Sequence, residues 1–117
     1  MKAGSVKAMR TQEGGRGRTR GLLRAAGRAS ARTGTSLMLH TEYGKGALEA
    51  IQYLTDRGLA PERILICHAD RQVKDLDIHE KIASTGVFME YEAIALDEIH
   101  DNDTKRRMPK HMEGRGF

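Results

Sequence analysis

No stretch of this 117-residue chain approaches the ~20 consecutive apolar residues that cross a bilayer. The N-terminus also lacks the apolar core, about 7–15 residues long, of a secretory signal. Cysteine is nearly absent. Cys67 stands alone, which excludes an internal disulfide, and its place in an apolar run marks a buried thiol. The compartment these absences lead us to expect is the cytoplasm. Acid is scarce at one end: residues 1–32 carry nine Lys/Arg against the single acid Glu13, while the remainder has eleven basic and fifteen acidic residues. A basic arm can mark nucleic-acid binding. Here no aromatic side chain lies among the arginines to stack on bases, and from Arg20 onward they fall on the polar face of a helix. Nucleic acid is the weaker account of the arm, and a solvated helix face the stronger.

What is present fits one globular domain with a core: 38% hydrophobic and 31% charged residues in a chain long enough to bury a sizeable interior. Two short apolar runs, Ser36 to His40 and Ile64 to His68, each end on a histidine. Between them Ala47, Leu48, Ile51 and Leu54 form the stripe of a helix, closed by Gly58 and the turn around Pro61. Strand, helix, strand, with a histidine at the C-terminal end of each strand, is how a parallel α/β barrel presents side chains to its active edge. Upstream, Met1 to Met9 reads as a strand with Ser5 and Lys7 on one face and Val6 and Ala8 on the other. The Gly-rich stretch after Arg10 has no Gly-Lys-Ser/Thr and is not a phosphate loop. Leu22, Ala25, Ala26 and Ala29 predict a helix from about Thr19 to Thr33, ended by Gly34. Gly21 and Gly27 should each weaken it by roughly 1 kcal/mol relative to alanine.

Downstream, Leu76, Ile78, His79, Ile82 and Ala83 share one side of a third helix, and Val87 to Tyr91 reads as a fourth strand. Strand starts one βα unit apart, joined by right-handed crossovers, predict four parallel neighbours. The expected fold class is α/β, with about four parallel strands and three helices over residues 1–96. From Asp97 the apolar period stops. Residues 97–117, with Pro109, Gly114 and Gly116, are expected to be a divergent, disordered tail.

Lys7, His40 and His68 stand at or near the C-terminal ends of successive strands, and imidazole suits zinc and similar divalent metals. A single histidine closing a strand is more often a structural hydrogen-bonding residue. Two on adjacent units, with a lysine on the preceding one, point to a shared site. Cys67 and His68 are not a nucleophile–base pair, because neighbouring strand residues face opposite ways. His79 reads as a surface or packing residue, and His100, Asp101 and Asp103 as a solvated cluster. Glu42, Tyr43, Asp70 and Arg71 lie in loops above the edge and are candidates to line a substrate pocket. Glu90, Tyr91 and Glu92 end the fourth strand, with a pocket role and plain strand-end polarity equally open.

The runs KAGSVK, RAAGRASARTG leading into LMLHTEYGKGALEAI, and GLAPERILICHADR followed by DLDIHEKIASTGVFMEY extend from Lys2 to about Ile94. In their order and spacing they resemble the phosphotriesterase family of the amidohydrolase superfamily, binuclear-metal hydrolases built on a (β/α)8 barrel. The resemblance implies that Lys7 matches the metal-bridging lysine, which the family carboxylates and some relatives replace by glutamate. It implies that His40 and His68 match the two histidines holding one metal, with zinc the expected ion and two per complete site. It further implies a small-molecule phosphotriester, lactone or related ester as substrate, attacked by a metal-activated hydroxide.

The chain departs from the family pattern in two places. Nothing supplies the His-x-His pair of the first strand, and nothing supplies the aspartate of the last. A complete barrel takes about 250 residues, so the resemblance implies a partial (β/α)8 TIM-type barrel covering roughly strands four to seven, and a truncated or frame-shifted gene product is the expectation. Carboxylation of Lys7 is then expected only where a binuclear site is intact. The alternative is a non-catalytic half-barrel that associates with itself or a complementary chain through its open sheet edges.

Overall fold

In the computed structural model, described over residues 4–10, 16–42, 44, 46–71, 75–92 and 102–117, four strands form one sheet in consecutive order. They are β1 (Ser5–Arg10), β2 (Ser36–Thr41), β3 (Ile64–Cys67) and β4 (Phe88–Met89). All neighbours pair in parallel. The helices are α1 (Arg16–Thr33), α2 (Ala47–Thr55), α3 (Leu76–Ala83) and α4 (Asn102–Gly114). No helix among the described residues is long and apolar enough to cross a membrane.

Strand alternation divides the sheet into two faces with different fates. Ala8, Leu37, Leu39, Ile64 and Ile66 are buried, together with Leu23, Ala50, Ile51, Leu54 and Ile82 of the helices, in one core cluster. Each fully buried leucine or isoleucine there stabilises by about 1.5–3 kcal/mol. The other face is set by the register Lys7↔Met38, Met9↔His40, His40↔Cys67 and Leu65↔Phe88. It carries Lys7, Met9, His40, Cys67 and Phe88, and two of its large apolar side chains, Met9 and Phe88, stay more than half exposed.

Local chemistry explains where elements start and stop. Gly34, at φ 74, ends α1 with its N–H on the Ser30 carbonyl. Asp75 caps α3 by accepting from the Ile78 N–H at 3.3 Å, a cap worth about 1 kcal/mol. The hydroxyl of Thr41 donates to the Cys67 carbonyl at 2.9 Å in a buried contact, tying the end of β2 to the end of β3.

Three expectations need correction. The first helix begins at Arg16, three residues before the predicted start. The fourth strand is only Phe88–Met89, because Glu90 leaves the ladder while its N–H still donates to the Ile66 carbonyl at 2.8 Å. Most of all, the described residues form four helices and not three: Asn102–Gly114, expected to be disordered, is α4. Its apolar stripe is just Met108 and Met112, four residues apart and both buried, which is too sparse to register as a period. Polar contacts complete the docking: Glu80 of α3 meets His111 Nε2 at 2.6 Å and Arg115 at 3.1 Å.

Candidate metal centre

The C-terminal edge of the sheet gathers polar side chains because β1, β2 and β3 all end there in register. His40 is the penultimate residue of β2 and His68 directly follows β3. Their rings meet edge to face with centroids 4.3 Å apart. His68 reaches this position in the left-handed backbone region, φ 63, as the only non-glycine residue with positive φ among those described. That conformation costs about 1–2 kcal/mol for a side chain with a Cβ, and strain of this kind gathers at functional sites.

Lys7 is exposed on β1, on the same sheet face as His40. Burial, then the charges of His68, Lys7 and Arg71, pushes the His40 pKa below its ordinary value, against a smaller opposing effect of Glu42. At neutral pH the His40 ring is therefore uncharged, with a nitrogen lone pair open to a proton or a metal. Cys67, opposite His40 in register, is buried, and burial pushes its thiol up to about 11, helped by a hydrogen bond to Glu90. It is no thiolate nucleophile at neutral pH.

The candidate pocket residues divide. Glu42 follows β2 and is half-buried, close enough to act on the charge of His40. Asp70 is fully buried in the 3-10 turn Ala69–Arg71 after β3. Arg71 donates from Nη2 to Glu92 Oε1 at 2.6 Å. Tyr43 lies outside the described residues, as do His100 and Asp101 of the tail cluster, while Asp103 is exposed in the first turn of α4.

The segment Glu90-Tyr91-Glu92 is the part whose role sequence reasoning left open. Glu92 meets both His68 Nδ1 and Arg71 through Oε1, and these contacts hold its carboxyl below the usual range despite partial burial. Tyr91 packs with the hydrophobic core. Its hydroxyl lies 2.8 Å from Nδ1 of His79 on α3, and His79 is buried rather than on the surface. Alternation along an extended segment was the available signal: it separates Glu90 and Glu92 from Tyr91 even outside the strand ladder.

Two imidazoles converging at one strand edge, one of them held uncharged at neutral pH, fit a divalent metal by donor chemistry. They do not fill it, since zinc takes four ligands. The same architecture recurs in known proteins. An N-acetyltaurine hydrolase of Dictyostelium discoideum is 35% identical over 77 residues, which is 65% of this chain and 21% of that protein. A lactonase from Listeria monocytogenes superposes with TM-score 0.92 at 30% identity, covering 99% of this chain and 35% of that one. A variant organophosphorus hydrolase of Deinococcus radiodurans gives TM-score 0.89 at 25% identity, over 100% of this chain and 36% of that one. The chain thus spans about a third of these solved relatives and about a fifth of the curated one, and its sheet and helices are part of a (β/α)8 barrel. With the sequence model of the phosphotriesterase family matching residues 1–117, the chain belongs to that family.

Proposed function

We propose that this chain is part of a metal-dependent hydrolase acting on phosphotriesters, lactones or related esters. The observation that carries the proposal is the meeting of His40 and His68, rings 4.3 Å apart at the ends of adjacent parallel strands, in a member of a family of metal hydrolases. His40 and His68 would hold one divalent ion, with zinc favoured by imidazole donors. Lys7 lies on the same face but mid-strand, opposite Met38 and two residues below the level of His40 rather than at the strand end; it would serve the second ion once carboxylated, which needs the binuclear site complete. A divalent metal in such a site supplies Lewis-acid polarisation of the scissile oxygen and a water acidic enough to serve as hydroxide near neutral pH. The chain's own residues would supply positioning: Glu42, Asp70 and Arg71 stand on the loops that border the edge, and Tyr43 is the residue next to Glu42 in sequence.

The relatives' activities support this substrate class, the Listeria protein being a lactonase and the Deinococcus protein an organophosphorus hydrolase. The test is metal analysis of the purified chain after incubation with zinc or manganese, with a panel of phosphotriesters and lactones assayed in parallel. Metal retention that is lost in His40→Ala and in His68→Ala is expected. The chain alone should turn over substrate near background, because the His-x-His pair and the aspartate are not among its residues. Retention unaffected by both substitutions would remove the proposal.

A second function has one observation in its favour. Met9 and Phe88 are 52% and 62% exposed on the sheet face away from the helices, and among the described residues β1 and β4 each pair on one side only. A non-catalytic half-barrel covered by a second copy or a complementary chain would bury both. Sedimentation of a stable monomer at high concentration would count against it.

A further inference from the structure

A neutral imidazole has one N–H and one lone pair, and only the lone pair can take a metal. Which nitrogen carries which is set by what the other one touches. His68 Nδ1 and Arg71 Nη2 both meet Glu92 at the same oxygen, Oε1, the guanidinium at 2.6 Å. A carboxylate paired with a guanidinium only accepts hydrogen bonds, so the imidazole nitrogen against it is the one that bears the proton. We infer that Glu92, held by Arg71, is the positioning residue of His68: it takes the Nδ1–H and leaves the lone pair on Nε2.

The fold brings these three groups together from two short segments. Arg71 lies in the turn after His68, closed by its own N–H on the His68 carbonyl at 3.3 Å. Glu92 comes from the chain beyond β4. There the Glu90 N–H donates to the Ile66 carbonyl at 2.8 Å, and the Glu90 carbonyl accepts from the Ala69 N–H at 3.1 Å. These two bonds bracket His68. Tyr91 packs with the core and reaches His79 at 2.8 Å, and alternation along the extended chain turns Glu92 the other way. Water does not reach Nδ1 of His68, and the carboxylate in contact with it is that of Glu92. The oxygen stands off the axis of the N–H bond, and a slight turn of the ring aligns the two. The guanidinium on the same oxygen fixes a side chain that would otherwise sample several rotamers, so the acceptor is in place before any metal arrives. A carboxylate on the far nitrogen sets the tautomer and ring orientation of a metal-binding histidine and strengthens it as a donor. Neither Glu92 nor Arg71 has to touch the ion for this.

The inference rests on the proposed metal-dependent hydrolase for its purpose, and its test reads the two apart. Two-bond proton–nitrogen correlation spectra of the full metal-free chain at neutral pH show which ring nitrogen of each histidine bears the proton, with His68→Ala assigning the signal. His68 should carry its proton on Nδ1. In Glu92→Ala the proton should move to Nε2, the nitrogen a free imidazole prefers, and zinc binding by titration calorimetry should weaken by about 10–100-fold. Arg71→Met, which frees Glu92 but leaves it in the chain, should keep the proton on Nδ1 and weaken zinc binding less. Circular dichroism checks the fold of each variant, and the spectrum of the parent decides without any substitution. A proton on Nε2 in the parent overturns the inference. So does a proton that stays on Nδ1 in a folded Glu92→Ala, the result of a latch that merely joins Arg71 to Glu92. A chain that retains no zinc removes the hydrolase reading, and the ring proton then still decides what Glu92 does to His68.

Discussion

A β-carbon on Gly27 would stand 2.7 Å from Cδ2 of Leu54, so α1 approaches α2 at the point where it has no side chain. Leu54 is 1% exposed in the core. Gly21, on the same helix, has nothing within 4 Å of the corresponding position. Gly21→Ala should therefore stabilise by about 1 kcal/mol through helix propensity. Gly27→Ala should destabilise, because overpacking a filled core costs about 1–3 kcal/mol and outweighs the same propensity gain. Urea denaturation of the two variants checks this, and equal stabilisation by both would show that the helices do not pack this closely.

The backbone at His68 makes a second prediction. Alanine and histidine both bear a Cβ in the left-handed region and glycine does not. His68→Gly should be more stable than His68→Ala by about 1 kcal/mol, although both lose the imidazole. Denaturation midpoints of the pair measure the difference, and a less stable glycine variant would show that φ at 68 is not positive.

Burial first, and the charge of Asp70 second, pushes the Tyr91 phenol up to about 12. A raised folded-state value favours the neutral phenol. The stabilisation is thus fully present below the ordinary tyrosine pKa of about 10 and is lost as pH rises through about 12. Absorbance at tyrosinate wavelengths should show a component titrating in that window, absent from Tyr91→Phe. The same variant should lose on the order of 1 kcal/mol of stability with the hydrogen bond to His79.

At the other end of the pH scale the sign reverses. The hydrogen bond from His111, and with it Arg115, holds the Glu80 carboxyl below its usual range. A depressed value means that the contribution to docking α4 on α3 is present above the ordinary glutamate pKa. It is lost as pH falls through the lower folded-state one. Melting followed between pH values of about 6 and 3 should show a steeper acid loss in the parent than in Glu80→Gln. Identical profiles would mean that the contact contributes nothing.

The strands that lead to His40 and His68 and the stripes of α1, α2 and α3 were legible because each rests on a local period that burial imposes, although β2 runs one residue past His40 and β3 stops one residue before His68. Lys7 and His40 could be placed on one face by counting alternate residues. The left-handed turn of His68 could not, since nothing in Ile-Cys-His-Ala signals it. The pairing of His79 with Tyr91, and of Glu92 with His68 and Arg71, joins residues far apart in sequence through the fold alone. Helix α4 was not legible for a different reason: among its described side chains only Met108 and Met112, on either side of Pro109, are buried, and polar contacts from Glu80 to His111 and Arg115 help to dock it.

The consecutive strand order also bears on how the chain assembles. Successive partners such as Ser5↔Ser36, Leu37↔Ile64 and Leu65↔Phe88 are separated by 31, 27 and 23 residues. The entropy of closing loops of such similar length differs by only about 0.3 kcal/mol, so loop length favours no pair. What differs is the ladder each pair gains, for β2 has 6 residues, β3 has 4 and β4 only 2. Like the units of a repeat protein, each strand leans on its neighbour, and the ladder is longest on the β1–β2 side. The segment after β4, which brings Glu92 to His68, therefore rests on the shortest ladder of the sheet, and the edge at His68 is the part that strand pairing secures least.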